Sequence, residues 1–150
     1  MKNQTKEITD KAINSFYEDY NCAQSVLIAF SEKLNFDKNL ASSISCGFGG
    51  GMGRLQKTCG AVTGALMVLG IYNSTKFTDL SECKEKTYSM VQDFHKQFLE
   101  KHHSSDCSSL LNCDLKTDEG HQYFEKNDLK KNVCELCIKN SIEIVNEMIN

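Results

Sequence analysis

The sequence predicts an all-α, single-domain helical bundle of four to five main helices, and three observations support this fold class. The chain of 150 residues contains no proline, so no proline ring interrupts a helix. Apolar residues recur at helical spacing along most of its length. No useful stretch alternates apolar and polar residues as a strand would. A chain of this length suits one domain, which we assign to residues 1–150.

The first half of the chain holds three predicted helices and a glycine-rich loop. The first helix has an apolar stripe formed by Ile8, Ala12, Ile13, Phe16, Tyr17 and Tyr20. The second helix covers about residues 22–34, with Asn21 as a good N-cap, and a short third helix surrounds Ala41. Six of the nine glycines then fall between Gly47 and Gly60. They predict a loop that precedes the central helix.

The central helix is predicted at about residues 59–72, with Thr58 as its N-cap. It is apolar on most sides, which indicates that it is buried. The helix that follows is capped by Thr78 or Ser81 and ends near the basic residues at 101–103, which suit a helix C-terminus.

The last part of the chain is predicted to be less regular. Residues 106–111 form one short turn, and residues 112–128 form a polar loop with one further helical turn. The last helix covers about residues 132–149 and repeats isoleucine and valine at helical spacing.

Composition and charge exclude several classes of partner. The net charge is −3 and no basic stripe is present, which argues against a nucleic-acid interface. Residues 1–12 hold no apolar core, so we expect no secretory signal. The longest apolar run, residues 61–72, is too short to span a bilayer, so we expect no membrane partner. We therefore expect a cytoplasmic protein, in which eight cysteines are not explained by structural disulfides.

Four of the eight cysteines are predicted to lie in the first turn of four separate helices: Cys22, Cys59, Cys107 and Cys134. Unpaired N–H groups and partial positive charge at a helix N-terminus stabilise a thiolate and lower its pKa. A thiolate is both a nucleophile and a metal ligand. The placement therefore fits redox thiols, and it fits equally well four ligands of a metal or an iron–sulfur cluster.

The other four cysteines have less regular surroundings. Cys46 and Cys83 are interpreted as small buried hydrophobic residues. Cys137 forms a C-x-x-C pair with Cys134, a spacing common to dithiols and metal sites. Zinc binding is a further alternative for one clustered set, His102, His103, Cys107 and Cys113.

The glycine-rich loop leads directly into the helix that begins at Cys59. Backbone N–H groups in such a loop can bind an anion, and so can the helix N-terminus after it. We expect the loop to cover the Cys59 thiolate or to bind an anionic cofactor or substrate, through Gly49, Gly50, Gly51, Gly53, Arg54 and Gly60. The alternative is a flexible connector without a ligand. Gly64 and Gly70 are better explained by close helix packing.

Four segments occur in an order that resembles a known family: YNCAQSVL, GFGGGMGRLQKTCGAVTGALMVLG, FHKQFLEKHHSSDCSSLL and CELCIKNSIEIV. They are similar to the C_GCAxxG_C_C family of putative redox-active proteins over about residues 21–145. The cysteine motif reads C-G-A-x-x-G here, which differs from the letter order in the family label. The resemblance assigns the four family cysteines to the positions already selected by helix placement.

The resemblance implies a small soluble bacterial protein with a redox role and supplies no substrate. Three functions are therefore weighed. The first is thiol–disulfide or electron-transfer chemistry, with Cys59 as the attacking thiolate and no cofactor required. The second is an iron–sulfur or metal-binding protein held by the four cysteines, and the third is a non-catalytic helical interaction module. We expect a redox partner protein or a small anionic or thiol substrate, and a homodimer is left open.

Overall fold

The computed structural model describes residues 2–150, and within them the protein is all-α, as predicted. Apart from the glycine-rich turn Gly49–Met52, these residues form nine α-helices, more than the four to five expected. They are α1 (Lys2–Tyr17), α2 (Cys22–Ala29), α3 (Ser31–Leu34), α4 (Lys38–Ser45), α5 (Gly60–Lys76), α6 (Leu80–His102), α7 (Cys107–Leu111), α8 (Asp118–Lys126) and α9 (Glu135–Met148). None of the helices in this range is long and apolar enough to cross a membrane.

Helix α5 lies at the centre of the core, as its apolar sequence predicts. It packs against α2, α6 and α9, and α1 covers α2 and α9 from the other side. Its fully buried residues include Ala61, Ala65, Val68 and Leu69. Gly64 allows the close approach of α2, because a Cβ there would lie 2.7 Å from the Ala23 carbonyl oxygen. The packing explanation for Gly64 is therefore confirmed. It is wrong for Gly70, where a Cβ would meet nothing within 4 Å.

Several predicted helix boundaries differ from the structure. The helix expected at residues 22–34 divides at Phe30, whose backbone has φ −91° and ψ 0°. No glycine or proline marks this break in the sequence. Helix α6 is capped by Asp79, whose carboxylate accepts a hydrogen bond from the Glu82 N–H, and not by Thr78 or Ser81.

The segment expected to be a loop contains the nine-residue helix α8. Thr117 caps it by accepting a hydrogen bond from the Gly120 N–H. A π-helical turn, Lys130–Cys134, then leads into α9, so the last helical segment begins before the predicted residue 132. The prediction of one domain over residues 1–150 stays a prediction, and residue 1 lies outside the described residues.

Candidate functional site

Cys59 and Cys107 are brought side by side by backbone pairing between two distant loops. Thr58 and Asp106 form an isolated antiparallel bridge. On one side of it the Cys59 N–H donates to the Ser105 carbonyl at 2.7 Å, and on the other the Cys107 N–H donates to the Lys57 carbonyl at 2.7 Å. Each cysteine is at the start of a helix, Cys59 as the N-cap of α5 and Cys107 as the first residue of α7. The bridge therefore joins two helix N-termini.

Cys22 reaches the same region from the start of α2. Asn21 caps this helix as predicted, in a reciprocal pair in which the Gln24 N–H and the Asn21 N–H each donate to the other residue's side-chain oxygen at 2.9 Å. The Cys22 sulfur lies against the first turn of α5. A Cβ at Gly60 would overlap this sulfur, so a glycine is needed at that position.

Cys134 and Cys137 enter the site from α9, and the prediction for Cys134 needs correction. Cys134 ends the π-helical turn with helical φ −61° and ψ −45°, and the chain continues directly into α9. It therefore has no free helix N-terminus of its own. A π-turn changes the direction in which the following side chains point, and such turns are frequent at functional sites.

A cavity of about 610 Å³ is lined by all four predicted cysteines. Cys46 and Cys137 line it as well. Its wall also contains five of the residues predicted to bind an anion: Gly49, Gly50, Gly53, Arg54 and Gly60. Its other charged or titratable residues are Lys130, His121 and Glu125, and its apolar wall comprises Phe16, Leu110, Leu111, Leu115, Phe124 and Val133.

The glycine-rich loop adopts an unusual left-handed turn above the cysteines. Five consecutive residues, 50–54, have φ between 63° and 66°, including the non-glycine residues Met52 and Arg54. Such a conformation is costly for residues with a Cβ, and strain of this kind clusters at functional sites. The Gly50 N–H donates to the Cys22 sulfur. Gly51 does not line the cavity; it is buried behind Cys107, whose Cβ would be 2.7 Å from a Cβ at Gly51.

Cys59 has a lowered pKa, as the sequence predicts for a thiol at a helix start. The largest cause is a hydrogen bond from the Cys137 thiol to the Cys59 sulfur. The N–H groups of Ala61 and Val62 in the first turn of α5 also lower it, although neither has the geometry of a full capping hydrogen bond. Burial acts in the opposite direction and is outweighed.

The pKa of each other predicted cysteine is raised, which contradicts the expectation from helix placement. Burial is the largest cause, and it raises the pKa of Cys22 to about 11 and that of Cys107 to about 12. It raises the pKa of Cys134 as well. The negative charge of Cys59 adds to the effect at all three residues. One thiolate in a dry cluster disfavours a second, so the structure concentrates the charge on Cys59.

The remaining predicted ligands do not gather into one site. Within residues 2–150, no group of three or more His, Cys, Asp or Glu side chains is placed so that it could hold a metal ion. His102 is near Cys137 and Asn140, and His103 ends α6 in a left-handed conformation. The zinc set proposed from the sequence is therefore not assembled. All eight cysteines are free thiols, and Cys83 and Cys113 do not line the cavity.

Two residues at the site have no signal in the sequence, and a third, Cys137, is predicted with a different partner. The C-x-x-C spacing pairs Cys137 with Cys134, whereas in the structure the Cys137 thiol is hydrogen-bonded to Cys59. Gln56 is buried with φ 55°, and its side chain bonds both the Cys113 carbonyl and the Leu115 N–H at 2.8 Å. Lys130 lies 4.9 Å from the ring centroids of both Phe16 and Tyr17. The C-x-x-C spacing signalled Cys137, but no pattern in the sequence pointed to Gln56 or Lys130.

A comparison with known protein families gives a match that contains these cysteines. The family model described as Putative redox-active protein (C_GCAxxG_C_C) matches residues 20–148. The chain belongs to the C_GCAxxG_C_C family. The match includes the four family cysteines and Cys137, and every cavity-lining residue except Phe16 lies within the matched region. A comparison with curated proteins found no match, and neither did a comparison with solved structures.

Proposed function

We propose that this C_GCAxxG_C_C protein performs thiol–disulfide exchange in its cysteine-lined cavity, with Cys59 as the attacking thiolate. One observation carries the proposal. Six cysteines line the cavity; burial and neighbouring charge raise the pKa of four of them, Cys22, Cys107, Cys134 and Cys137, whereas Cys59, at the start of α5 and hydrogen-bonded to Cys137, has a lowered pKa. A single nucleophile surrounded by neutral thiols suits an attack followed by resolution.

The reaction moves two electrons from the protein to a disulfide substrate. The Cys59 thiolate attacks one substrate sulfur, which forms a mixed disulfide and releases the other half as a thiolate. A neighbouring protein thiol then gives up its proton, attacks the Cys59 sulfur and displaces the second half. The products are two substrate thiols and one protein disulfide, and a dithiol reductant would reverse the oxidation. Such a cycle suits a reducing compartment such as the cytoplasm.

The cavity favours a small anionic disulfide over a protein partner. Its volume of about 610 Å³ lies within the range of small-molecule sites. Cys59 is only 8% exposed, so a flat protein surface would not reach its sulfur. Arg54 and Lys130 line the cavity with one carboxylate, Glu125. The two cations offset the charges of Glu125 and of the Cys59 thiolate, and their side chains can donate charge-assisted hydrogen bonds to the carboxylates of an anionic disulfide.

A single-turnover measurement tests the proposal. Reduced protein is mixed with dithiobis(nitrobenzoate), a dianionic aromatic disulfide whose released thiolate is coloured. The fast phase of release should be lost in Cys59→Ser and kept in Cys83→Ser, because Cys83 does not line the cavity. Equal fast phases in the two variants would contradict the assignment of Cys59.

Iron–sulfur or metal binding by Cys22, Cys59, Cys107 and Cys134 is the second proposal, favoured by the convergence of these residues on one cavity. The four thiolates would each have to lose a proton, and the side chains would have to move closer to share a metal. Anaerobic purification followed by visible absorption and metal analysis distinguishes the two. A brown protein with about one cluster per chain would support this alternative over the dithiol function.

A further inference from the structure

The imidazole of His102 is fixed at the end of α6 by aromatic stacking. Its ring centroid lies 4.4 Å from that of Phe98, with an angle of 27° between the planes. Phe98 in turn stacks on Phe94 with centroids 6.0 Å apart, and both phenylalanines are fully buried. The three residues are four apart in sequence and so lie on one face of the helix. This column holds the imidazole against α9.

Both ring nitrogens of His102 meet side chains of α9. Nε2 lies 2.8 Å from the Asn140 amide nitrogen, and Nδ1 lies 3.8 Å from the Cys137 sulfur. An amide nitrogen can only donate, so Nε2 accepts and the proton of the neutral ring is on Nδ1. Burial lowers the pKa of His102, which keeps the ring neutral near pH 7. The Nδ1–H therefore donates to the Cys137 sulfur.

A chain of hydrogen bonds thus runs from Asn140 to Cys59. Asn140 donates to His102, His102 donates to Cys137, and the Cys137 thiol donates to the Cys59 sulfur. Cys137 is 1% exposed and packs in the same core cluster as Cys59. Cys137 and Asn140 are three residues apart on α9, so they lie on one face of the helix and contact the two ring nitrogens of His102 from there.

We propose that Cys137 is the thiol that resolves the Cys59 mixed disulfide, and that His102 and Asn140 are positioning residues for it. This inference rests on the proposed function, and it replaces the Cys134–Cys137 pair that the C-x-x-C spacing suggests. His102 holds the Cys137 sulfur beside Cys59 and stabilises the negative charge that develops there when the Cys137 proton leaves.

The second half of the exchange then follows from this contact. After Cys59 has attacked the small disulfide, the thiolate that leaves takes up the Cys137 proton. The Cys137 sulfur attacks the Cys59 sulfur, the bond between Cys59 and the substrate breaks, and the second substrate thiolate departs. One Cys59–Cys137 disulfide forms, and the substrate disulfide has accepted two electrons.

Trapping of the intermediate tests the role of Cys137. Full-length reduced protein receives one equivalent of dithiobis(nitrobenzoate), and the coloured thiolate and the peptide disulfides are measured. Unmodified protein should release two thiolates per disulfide and yield a Cys59–Cys137 peptide. Cys137→Ser should release one and retain the probe on Cys59, whereas Cys83→Ser should behave like the unmodified protein. Rapid release of the second thiolate from Cys137→Ser, or a disulfide from Cys59 to another cysteine, would overturn the assignment.

A pH profile tests His102 separately. The rate of Cys59 alkylation by iodoacetamide, followed by peptide mass spectrometry, reports the pKa of Cys59. His102→Phe keeps the stacking and removes the donor, and it should shift that pKa upward by about half a unit to one unit. His102→Asn restores a donor near the Nδ1 position and should recover much of the shift. His103→Asn, a matched change at the next residue, should leave the profile unchanged.

Other groups around Cys59 stay the same in these variants. They are Cys22, Cys107, Cys134, Arg54, His121, Glu125 and Lys130. Identical profiles for His102→Phe and the unmodified protein would overturn the positioning role. That result is distinguishable from failure of the proposed function, in which Cys59→Ser would keep the fast phase of thiolate release.

Discussion

At the scale of single residues, the site shows that a helix N-terminus does not by itself create a reactive cysteine. Cys22 and Cys107 both begin helices, yet burial and the charge of Cys59 raise their pKa values. Cys59 differs because it is the N-cap and because the Cys137 thiol donates to it. The hydrogen bond from a neighbour, added to the helix N–H groups, lowers the pKa of this sulfur while burial raises the others.

Arg54 provides a residue-scale prediction about substrate charge. Its side chain lines the cavity and its backbone has φ 64°, so asparagine is the suitable replacement because it tolerates this conformation. We expect Arg54→Asn to slow the reaction with dianionic dithiobis(nitrobenzoate) by about three- to tenfold at low salt. The reaction with neutral dithiodipyridine should be unaffected, because that disulfide has no charge to attract.

The matched control for this prediction is Lys57→Gln, which removes an exposed positive charge that does not line the cavity. It should have little effect on either disulfide. Added salt should reduce the difference between Arg54→Asn and the unmodified protein, because ions screen the attraction. Equal slowing of the charged and neutral disulfides would show that Arg54 acts on loop structure and not on substrate charge.

At the scale of elements, close packing of α5 on α2 places two of the site cysteines. Cys59 precedes α5 and Cys22 begins α2, so the spacing of these helices sets the positions of both sulfurs. Gly60 and Gly64, one helical turn apart, form the contact surface on α5. The helix therefore brings its own N-cap residue and the Cys22 sulfur to the same place.

Two glycines of α5 give a matched prediction about this packing. Gly64→Ala should reduce the free energy of unfolding by about 1–3 kcal/mol, because the new methyl group would meet the Ala23 carbonyl oxygen at 2.7 Å. Gly70→Ala should increase it by about 0.5–1 kcal/mol, because the position is open and alanine favours the helix. Urea denaturation measures both, and equal effects of the two substitutions would contradict the role assigned to Gly64.

The helices were predictable from sequence where local rules apply, and the assembly of the site was not. Ile8, Ala12 and Phe16 of the predicted α1 stripe are buried, whereas Tyr17 is exposed and Tyr20 lies beyond the helix. The buried character of α5 follows from apolar spacing, and the Asn21 cap follows from residue type. The Thr58–Asp106 bridge joins loops that are far apart in the chain, and no local pattern signals it. The split at Phe30 likewise has no glycine or proline to mark it.

The cysteine with the lowered pKa was also partly predictable. A glycine-rich loop before a cysteine at a helix start predicts a lowered pKa for Cys59, and the pKa of Cys59 is lowered. The same rule failed at Cys134, because the π-helical turn that precedes it leaves it without a free helix start. Pairing of Cys137 with Cys59 depends on how α9 packs against α5, which spacing along the chain does not specify.

At the scale of the whole molecule, the cavity lies where two apolar clusters meet. The main core includes Cys59 and Cys137, and a smaller cluster includes Cys107, Leu111 and Leu115. Cys134 packs against both clusters. The sulfurs thus replace hydrocarbon at the junction between the two, which explains both their convergence and their strong desolvation.

This burial of thiols predicts that stability depends on pH near the cysteine pKa. In the unfolded chain the thiols ionise near pH 8.5. The folded pKa values of Cys22, Cys107, Cys134 and Cys137 are raised, so the folded protein keeps protons that the unfolded chain loses. Their stabilising contribution is complete below the unfolded pKa and is lost as the pH rises through the folded values.

We therefore expect the free energy of unfolding, measured by urea denaturation in a strong reductant, to fall by several kcal/mol between pH 8 and pH 10, since each of the four retained protons contributes up to about 1.4 kcal/mol per pH unit. The contribution of Cys59 to stability changes with pH in the opposite direction. Its lowered pKa stabilises the folded protein above the unfolded pKa, and this contribution is lost as the pH falls through the folded value. In Cys59→Ser, the free energy of unfolding should no longer fall at low pH for this reason, but it should still fall above pH 8. A free energy of unfolding that rises from pH 8 to pH 10 would contradict the burial of neutral thiols at the junction.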